Sequence, residues 1–214
     1  VKMKEKIAGH LLQIKAVFLR PNEPFIWASG IKSPIYCDNR LILSYPDIRK
    51  DIEKGLVALI KEKYPDCEAV FGTSTAGIPH AAIIADILNI PMGYVRSDSK
   101  DHGRNNQIEG IAQPGTKVVV IEDLISTAGS ALNVCTTLRE VGCEVLGIAS
   151  IFTYDMKKGM DKLNEASIIN YSLTDLDTLV NVALHNGIID ENDKAKLLAF
   201  RDNPADESWI STTA

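Results

Sequence analysis

The stretch "KVVVIEDLISTAGSALNVCTTLREVG", Lys117 to Gly142, decides how the rest of the chain is read. Apolar β-formers, Val118 to Ile121, run into two adjacent acids, Glu122 and Asp123. Small and hydroxylated residues follow, Ser126 to Ser130, and then a helical pattern. One reading is a strand that has ended, with its acids solvated as charged residues usually are and Ser130 as an ordinary N-cap. The other is an anion cradle: backbone N–H groups converge at a helix N-terminus, where the macrodipole also favours negative charge. The carboxylates would then accept hydrogen bonds from hydroxyls of the same ligand, which offsets the cost of holding them at a buried strand end. The Gly-x-x-x-x-Gly-Lys-Ser/Thr pattern of a P-loop is absent.

On both sides of this stretch, strand and helix patterns alternate. A first helix is expected to about Leu19, then an irregular strand-containing piece, "RPNEPFIWASGIKSPIYCDNR", and a polar helix from Tyr45 to Glu62. Strand "EAVFG", helix "GIPHAAIIADIL" and strand "IPMGYVR" lead to a polar loop ending near Glu109. After the central stretch come strand "EVLGIASIFT", a short helix, strand "ASIINYSL", and two helical patterns in the tail. Strands apolar on both faces argue a mainly parallel sheet covered on both sides, an α/β fold. The expected division is 1–44 as helix and hood, 45–174 as α/β core, and 175–214 as a helical segment packed on the core.

The whole chain has 214 residues, a formal net charge of -5 and 45% hydrophobic residues, with a sequence pI near 5.4. No overall positive field draws in nucleic acid or an anionic membrane, so any anion site is local. No apolar run approaches the roughly 18 residues of a membrane span, and the first residues mix acid with base, unlike a signal peptide. The expectation is a cytoplasmic protein. Cys37, Cys67, Cys135 and Cys143 show no Cys-x-x-Cys spacing; Cys135 and Cys143 read as small core residues.

In open α/β sheets the ligand lies beyond the carboxyl ends of the strands, and three loops meet that condition. Besides Glu122–Ser130, the stretch 72–77 offers Gly72, Thr73, Ser74, Thr75 and Gly77 at a second strand-to-helix junction, a further anion cradle. His80, on the following helix, reads as a packing or capping residue. The stretch "YVRSDSKDHGRNNQIEG", Tyr94 to Gly110, places Arg96, Lys100, His102 and Arg104 in a polar loop. It is either a solvated connection or a flap that closes over a polyanion and excludes water.

These motifs resemble those of the type I phosphoribosyltransferases. "VVVIEDLISTAGSA" is similar to their phosphoribosyl pyrophosphate (PRPP) signature; "RSDSKDHG" with "IEG" resembles the flap of the orotate-using branch, and "SGIKSPIY" its base-covering hood. The similarity runs from about Ile7 to about Leu173. It implies a type I phosphoribosyltransferase fold with a mainly parallel central sheet, flanking helices and a small N-terminal hood. It also implies transfer of the phosphoribosyl group from PRPP to orotate, in pyrimidine (UMP) synthesis.

On that resemblance Glu122 and Asp123 hold the ribose hydroxyls, and Leu124, Ile125, Ser126, Thr127, Ala128, Gly129 and Ser130 cradle the 5'-phosphate. Arg96, Lys100 and His102 contact the pyrophosphate, which Thr73, Ser74 and Thr75 also face. Ser126, Lys32 and Tyr36 fall to orotate, and Arg96, Lys100, His102 and Asp123 to catalysis. Mg2+ arrives on the pyrophosphate and ribose oxygens with no direct protein ligand, and a homodimer shares the flap across its interface, with no nucleic acid or membrane partner.

The chain departs from the family pattern at Ala28 and Ala76, where some members carry lysine, and at Ser97–Ser99, where a second flap lysine is usual. Ala128 replaces a glycine of the phosphate loop, which a negative φ would permit. A purine phosphoribosyltransferase, or a PRPP-binding regulator without catalysis, are the alternatives that the resemblance leaves. The first would lack the Lys-Asp-His-Gly flap; the second usually adds a basic DNA-binding domain.

Overall fold

The computed structural model describes residues 2–26, 30–97 and 107–213. Helix α1 (Met3–Gln13) is shorter than its pattern suggested, because Lys15 takes a left-handed φ of 57° and the β-forming Val17-Phe18-Leu19 continues as strand β1 (Val17–Leu19). The hood that follows is two small antiparallel pairs. Strand β1 pairs with β4 (Ile35–Cys37), and β2 (Phe25–Ile26) pairs with β3 (Lys32–Ser33). A 3-10 helix, Asn39–Ser44, leads into α2 (Pro46–Lys63), which has proline at its start and Lys61 and Lys63 in its last turn.

The central sheet is six-stranded. Four of its strands are β5 (Ala69–Thr73), β6 (Met92–Val95), β7 (Ile108–Glu109) and β8 (Lys117–Ile125). The other two are β9 (Glu144–Thr153) and β10 (Asn170–Asp175). Their order is β10-β9-β8-β5-β6-β7, parallel except where β7 returns along β6. The connecting helices are α3 (Gly77–Leu88), α4 (Gly129–Glu140) and α5 (Lys157–Glu165); α6 (Leu176–His185) and α7 (Glu191–Asp202) follow the sheet. Asn89, in the left-handed region at φ 54°, ends α3. The last strand starts four residues later than its pattern suggested, since α5 and the left-handed Ser167 occupy the intervening chain.

Strand β8 shows why the sheet holds its place. Val119 and Ile121 pack into one core with α1, α2, α3 and α6 through Ile7, Leu56, Ile84 and Leu179. Val118 and Val120 pack into the other with α4 through Val134 and Leu138. A strand buried on both faces must be apolar at every position, and its period of two divides it between the cores. Cys135 and Cys143 are buried in the second core. Among the described residues no helix is long and apolar enough to cross a membrane.

Candidate active site

The carboxyl ends of β8, β5 and β6 lie side by side, which brings the turns after β8 and β5 beside Arg96, the residue that follows β6. At the centre, Glu122 is only 5% exposed. Its Oε1 accepts from Thr73 Oγ1 at 2.6 Å and from the Asp123 N–H at 2.9 Å. Burial, and then the neighbouring Asp123 carboxylate, push the Glu122 carboxyl up to about 8. Glu122 therefore holds its proton more tightly than an ordinary glutamic acid does. Asp123 is the more exposed of the two.

Beyond Asp123 the chain turns into α4 with no side-chain cap: the N-cap is Ala128, which has no group to offer, and Ser130 lies inside the helix. The first amides of α4 thus have no side-chain capping partner among the described residues, an arrangement that suits an anion. Thr127, Gly129 and Ser130 are exposed, while Ile125 and Ala128 are buried. Ala128 has φ 60°, so the expectation of a negative φ is corrected: alanine occupies a left-handed position that glycine would hold without strain. Its methyl group packs in the second core, which keeps it there. Glycine 159 of α5 supports this turn from behind, since a Cβ there would strike the Ser126 carbonyl. No local pattern in the sequence marked Gly159.

The second turn is closed. Thr73 donates to Glu122, and Ser74 Oγ donates to the Val95 carbonyl at 2.6 Å. Of the three hydroxyl residues expected to face a pyrophosphate, only Thr75 is exposed. What 73–75 can present is main chain, with α3 again uncapped by any side chain at Ala76. Arg96 follows β6 directly; its Nε lies 3.3 Å from Glu109 Oε1 and its N–H donates to the Gln107 carbonyl. Lys100 and His102, like Ala28 and Asp98, lie outside the described residues.

The hood closes the other side. Asn39 Nδ2 donates to the Asp123 carbonyl at 2.8 Å, and burial together with the Asp123 charge pushes the Cys37 thiol and the Tyr154 hydroxyl up. Tyr36 is exposed and packs on Phe25. The Lys32 ammonium pairs with Glu207 of the C-terminal 3-10 helix, Glu207–Ser211, at 2.9 Å. A cleft of about 620 Å³ separates Ile31 of the hood from Thr127 and from Met156, Lys158 and Lys162 at α5. His80 is buried and bonded through Nδ1 to Glu53 at 2.6 Å, a packing role rather than a site role.

A mainly parallel sheet whose central strand carries a carboxylate pair just before its end and leads through a short turn into a helix start with no side-chain cap defines a type I phosphoribosyltransferase. The family model for the phosphoribosyl transferase domain matches residues 42–178. The chain is 58% identical over 209 residues to an orotate phosphoribosyltransferase of Bacillus cytotoxicus, covering 98% of this chain and 100% of that one. It is 58% identical over 208 residues to the Bacillus subtilis orotate phosphoribosyltransferase, covering 97% and 96%. The chain belongs to the orotate phosphoribosyltransferase family. Among solved structures it resembles the orotate phosphoribosyltransferase of Aeropyrum pernix at TM-score 0.73 and 28% identity, over 82% of this chain and 96% of that one. It also resembles the UMP synthase of Leishmania donovani at TM-score 0.78 and 26% identity, over 92% of this chain and 42% of that one.

Proposed function

We propose that this chain transfers the 5-phosphoribosyl group of PRPP to orotate, yielding orotidine 5'-monophosphate and pyrophosphate in UMP synthesis. The observation that carries the assignment is the Glu122–Asp123 pair, tied to Thr73 and followed at once by the open turn 126–130. One compact unit, a ribose with its 5'-phosphate, fits that sequence of groups. The turn and the start of α4 bind the phosphate, and the carboxylates receive the ribose hydroxyls.

Orotate's ring nitrogen forms the new bond to the anomeric carbon as the carbon–oxygen bond to pyrophosphate breaks. Positive charge develops on the ribosyl ring, and Asp123 stabilises it more in the transition state than in the ground state. Arg96, Lys100 and His102 stabilise the leaving pyrophosphate. Orotate lies in the cleft between Ile31 and Thr127, and Lys32, Ser126 and Tyr36 are the contacts that the family resemblance assigns to it. Mg2+ would be held by the pyrophosphate and ribose oxygens of PRPP with no direct protein ligand and would supply positive charge to the leaving group; the Glu122–Asp123 pair, with Glu122 bonded to Thr73, would hold the ribose hydroxyls beside it. The protein works in the cytoplasm as a homodimer in which the 96–109 loop of one protomer completes the partner's site.

Loss of orotate absorbance with PRPP and Mg2+ tests the reaction, with hypoxanthine, guanine and adenine as competing acceptors. Preference for a purine would overturn the orotate assignment. Asp123→Asn should lower kcat by about 100-fold or more, with KM for PRPP much less changed. Mixing Lys100→Ala with Asp123→Asn should restore activity through hybrid dimers; dead mixtures with proven subunit exchange would remove the shared loop.

A further inference from the structure

We propose that Asn39 is a positioning residue that fixes the backbone of Asp123. This rests on the reading of Asp123 as the charge beside the ribosyl ring. Asn39 opens the 3-10 helix after the hood and lies 84 residues before Asp123 in sequence. It is 1% exposed, and its Nδ2 donates to the Asp123 carbonyl at 2.8 Å. Its Oδ1 is buried with no hydrogen-bond partner among the described residues. Buried amides in folded proteins are normally bonded at both ends. Here the end that is bonded is the one that touches the acidic pair.

The sheet alone does not hold Asp123. Pairing with β5 stops at Gly72↔Ile121, and the register with β9 passes from Glu122↔Ser150 to Leu124↔Phe152. Side chains take over: Glu122 Oε1 receives the Asp123 N–H, and Asn39 donates to the Asp123 carbonyl. Both main-chain polar groups of Asp123 are therefore pinned, one from its own strand and one from the hood end of the chain. Fixing them fixes the direction in which the carboxylate leaves the backbone, and catalysis by a placed charge depends steeply on that direction.

The chemistry of Asn39 suits this role. A lysine at this place would neutralise the Asp123 charge, and an aspartate would add a carboxylate to a patch that already holds Glu122, Asp123 and Asp38. A neutral amide on the main-chain carbonyl orients Asp123 and leaves its charge whole. The other groups that face Asp123 are also neutral, since the Cys37 thiol and Tyr154 hydroxyl are pushed up by burial and by that same charge. The exposed Arg40 guanidinium is paired with Asp38 at 2.6 Å and 2.9 Å.

The test compares Asn39→Ala, the isosteric Asn39→Asp, Asp123→Asn, and Asn39→Ala combined with Asp123→Asn. Measured on each are kcat, the PRPP dissociation constant by calorimetry, and thermal unfolding. Both Asn39 variants should lose about tenfold or more in kcat, with the PRPP dissociation constant changed less than about threefold. In the Asp123→Asn background, Asn39→Ala should cost less than about threefold, because the two residues act through one carboxylate. If Asn39→Ala does not fold, the shape-preserving Asn39→Asp carries the comparison. A purely structural Asn39 would lower the unfolding temperature and leave kcat within twofold of the parent at 25 °C, and that outcome overturns the proposal. If Asp123→Asn is crippled while folded Asn39 variants turn over normally, only the Asn39 assignment falls. If Asp123→Asn itself turns over normally, the reading of the acidic pair falls and this inference falls with it.

Discussion

The turn from β5 into α3 and the turn from β8 into α4 are made of the same kinds of residue, small and hydroxylated, and the fold uses them in opposite ways. In the first, both buried-side hydroxyls are committed, Thr73 to Glu122 and Ser74 to the Val95 carbonyl. Its glycines are demanded by crowding: a Cβ on Gly77 would lie 2.6 Å from Thr73 Oγ1 and would strike the Ile121 carbonyl. In the second, a Cβ on Gly129 would meet nothing within 4 Å. The first glycine is needed to bring α3 onto the sheet. The second leaves open space at the helix start, where we propose that the substrate phosphate binds.

The sharpest way to break this comparison is the same substitution at both places. Gly77→Ala should destabilise by about 3 kcal/mol, the scale of an overpacked core, which is roughly 6–12 °C in unfolding temperature for a chain of this length. An unshifted melting curve would show that the β5–α3 turn has slack. Gly129→Ala should leave the fold unharmed or raise stability by about 0.4–1 kcal/mol, as alanine does at a compatible backbone position. It should nonetheless weaken PRPP binding by about tenfold, some 1.4 kcal/mol. Calorimetry that finds unchanged affinity would remove this turn from the phosphate site.

Glu122 ties the two turns together, and its titration sharpens the contrast. A carboxyl raised from its ordinary value of 4.5 to about 8 in the fold binds its proton more tightly folded than unfolded. Its contribution to stability is present below the unfolded value and is lost as pH rises through about 8. The parent should therefore melt lower at pH 9 than at pH 6. Glu122→Gln, which keeps the acceptor for Thr73 and cannot ionise, should flatten that slope by a few degrees. Parallel slopes in the two proteins would mean that Glu122 is already charged at pH 6.

The smallest effect is expected at Ala128. Glycine there relieves a left-handed alanine, worth about 1–2 kcal/mol, but removes a buried methyl worth about 0.8 kcal/mol and loosens the unfolded chain by about 0.4–1 kcal/mol. The sum should lie within about 0.8 kcal/mol of zero. A shift in unfolding temperature above about 3 °C in either direction would show that one of these effects dominates.

The alternation of strands and helices was legible because each element carries its own period: α3 begins and ends as its pattern indicated, and so does β9. Errors fell where local signals compete. The amphipathic pattern of α1 runs on toward Leu19, but Lys15 breaks the helix and the β-forming triplet after it pairs with β4 instead. At α4 Ser130 stood ready as the N-cap, but the N-cap is Ala128, two residues earlier, with no side-chain cap. In the site, the acidic pair and the turn after it were legible as chemistry, because both lie within a few residues of one another.

The amino-acid sequence by itself determined the elements, the double burial of the central strands and the adjacency of Glu122, Asp123 and the turn 126–130. These depend on spacings of two to four residues, which side-chain periodicity records directly. Only the tertiary structure decided that Thr73 serves Glu122, that Gly159 gives way to Ser126, that Lys32 meets Glu207 and that Asn39 reaches Asp123. Each of those contacts joins distant parts of the chain through the order of strands in the sheet and the packing of helices on it. A residue's own neighbours in sequence carry no record of that order, so the partners of these side chains became defined only once the sheet had placed them.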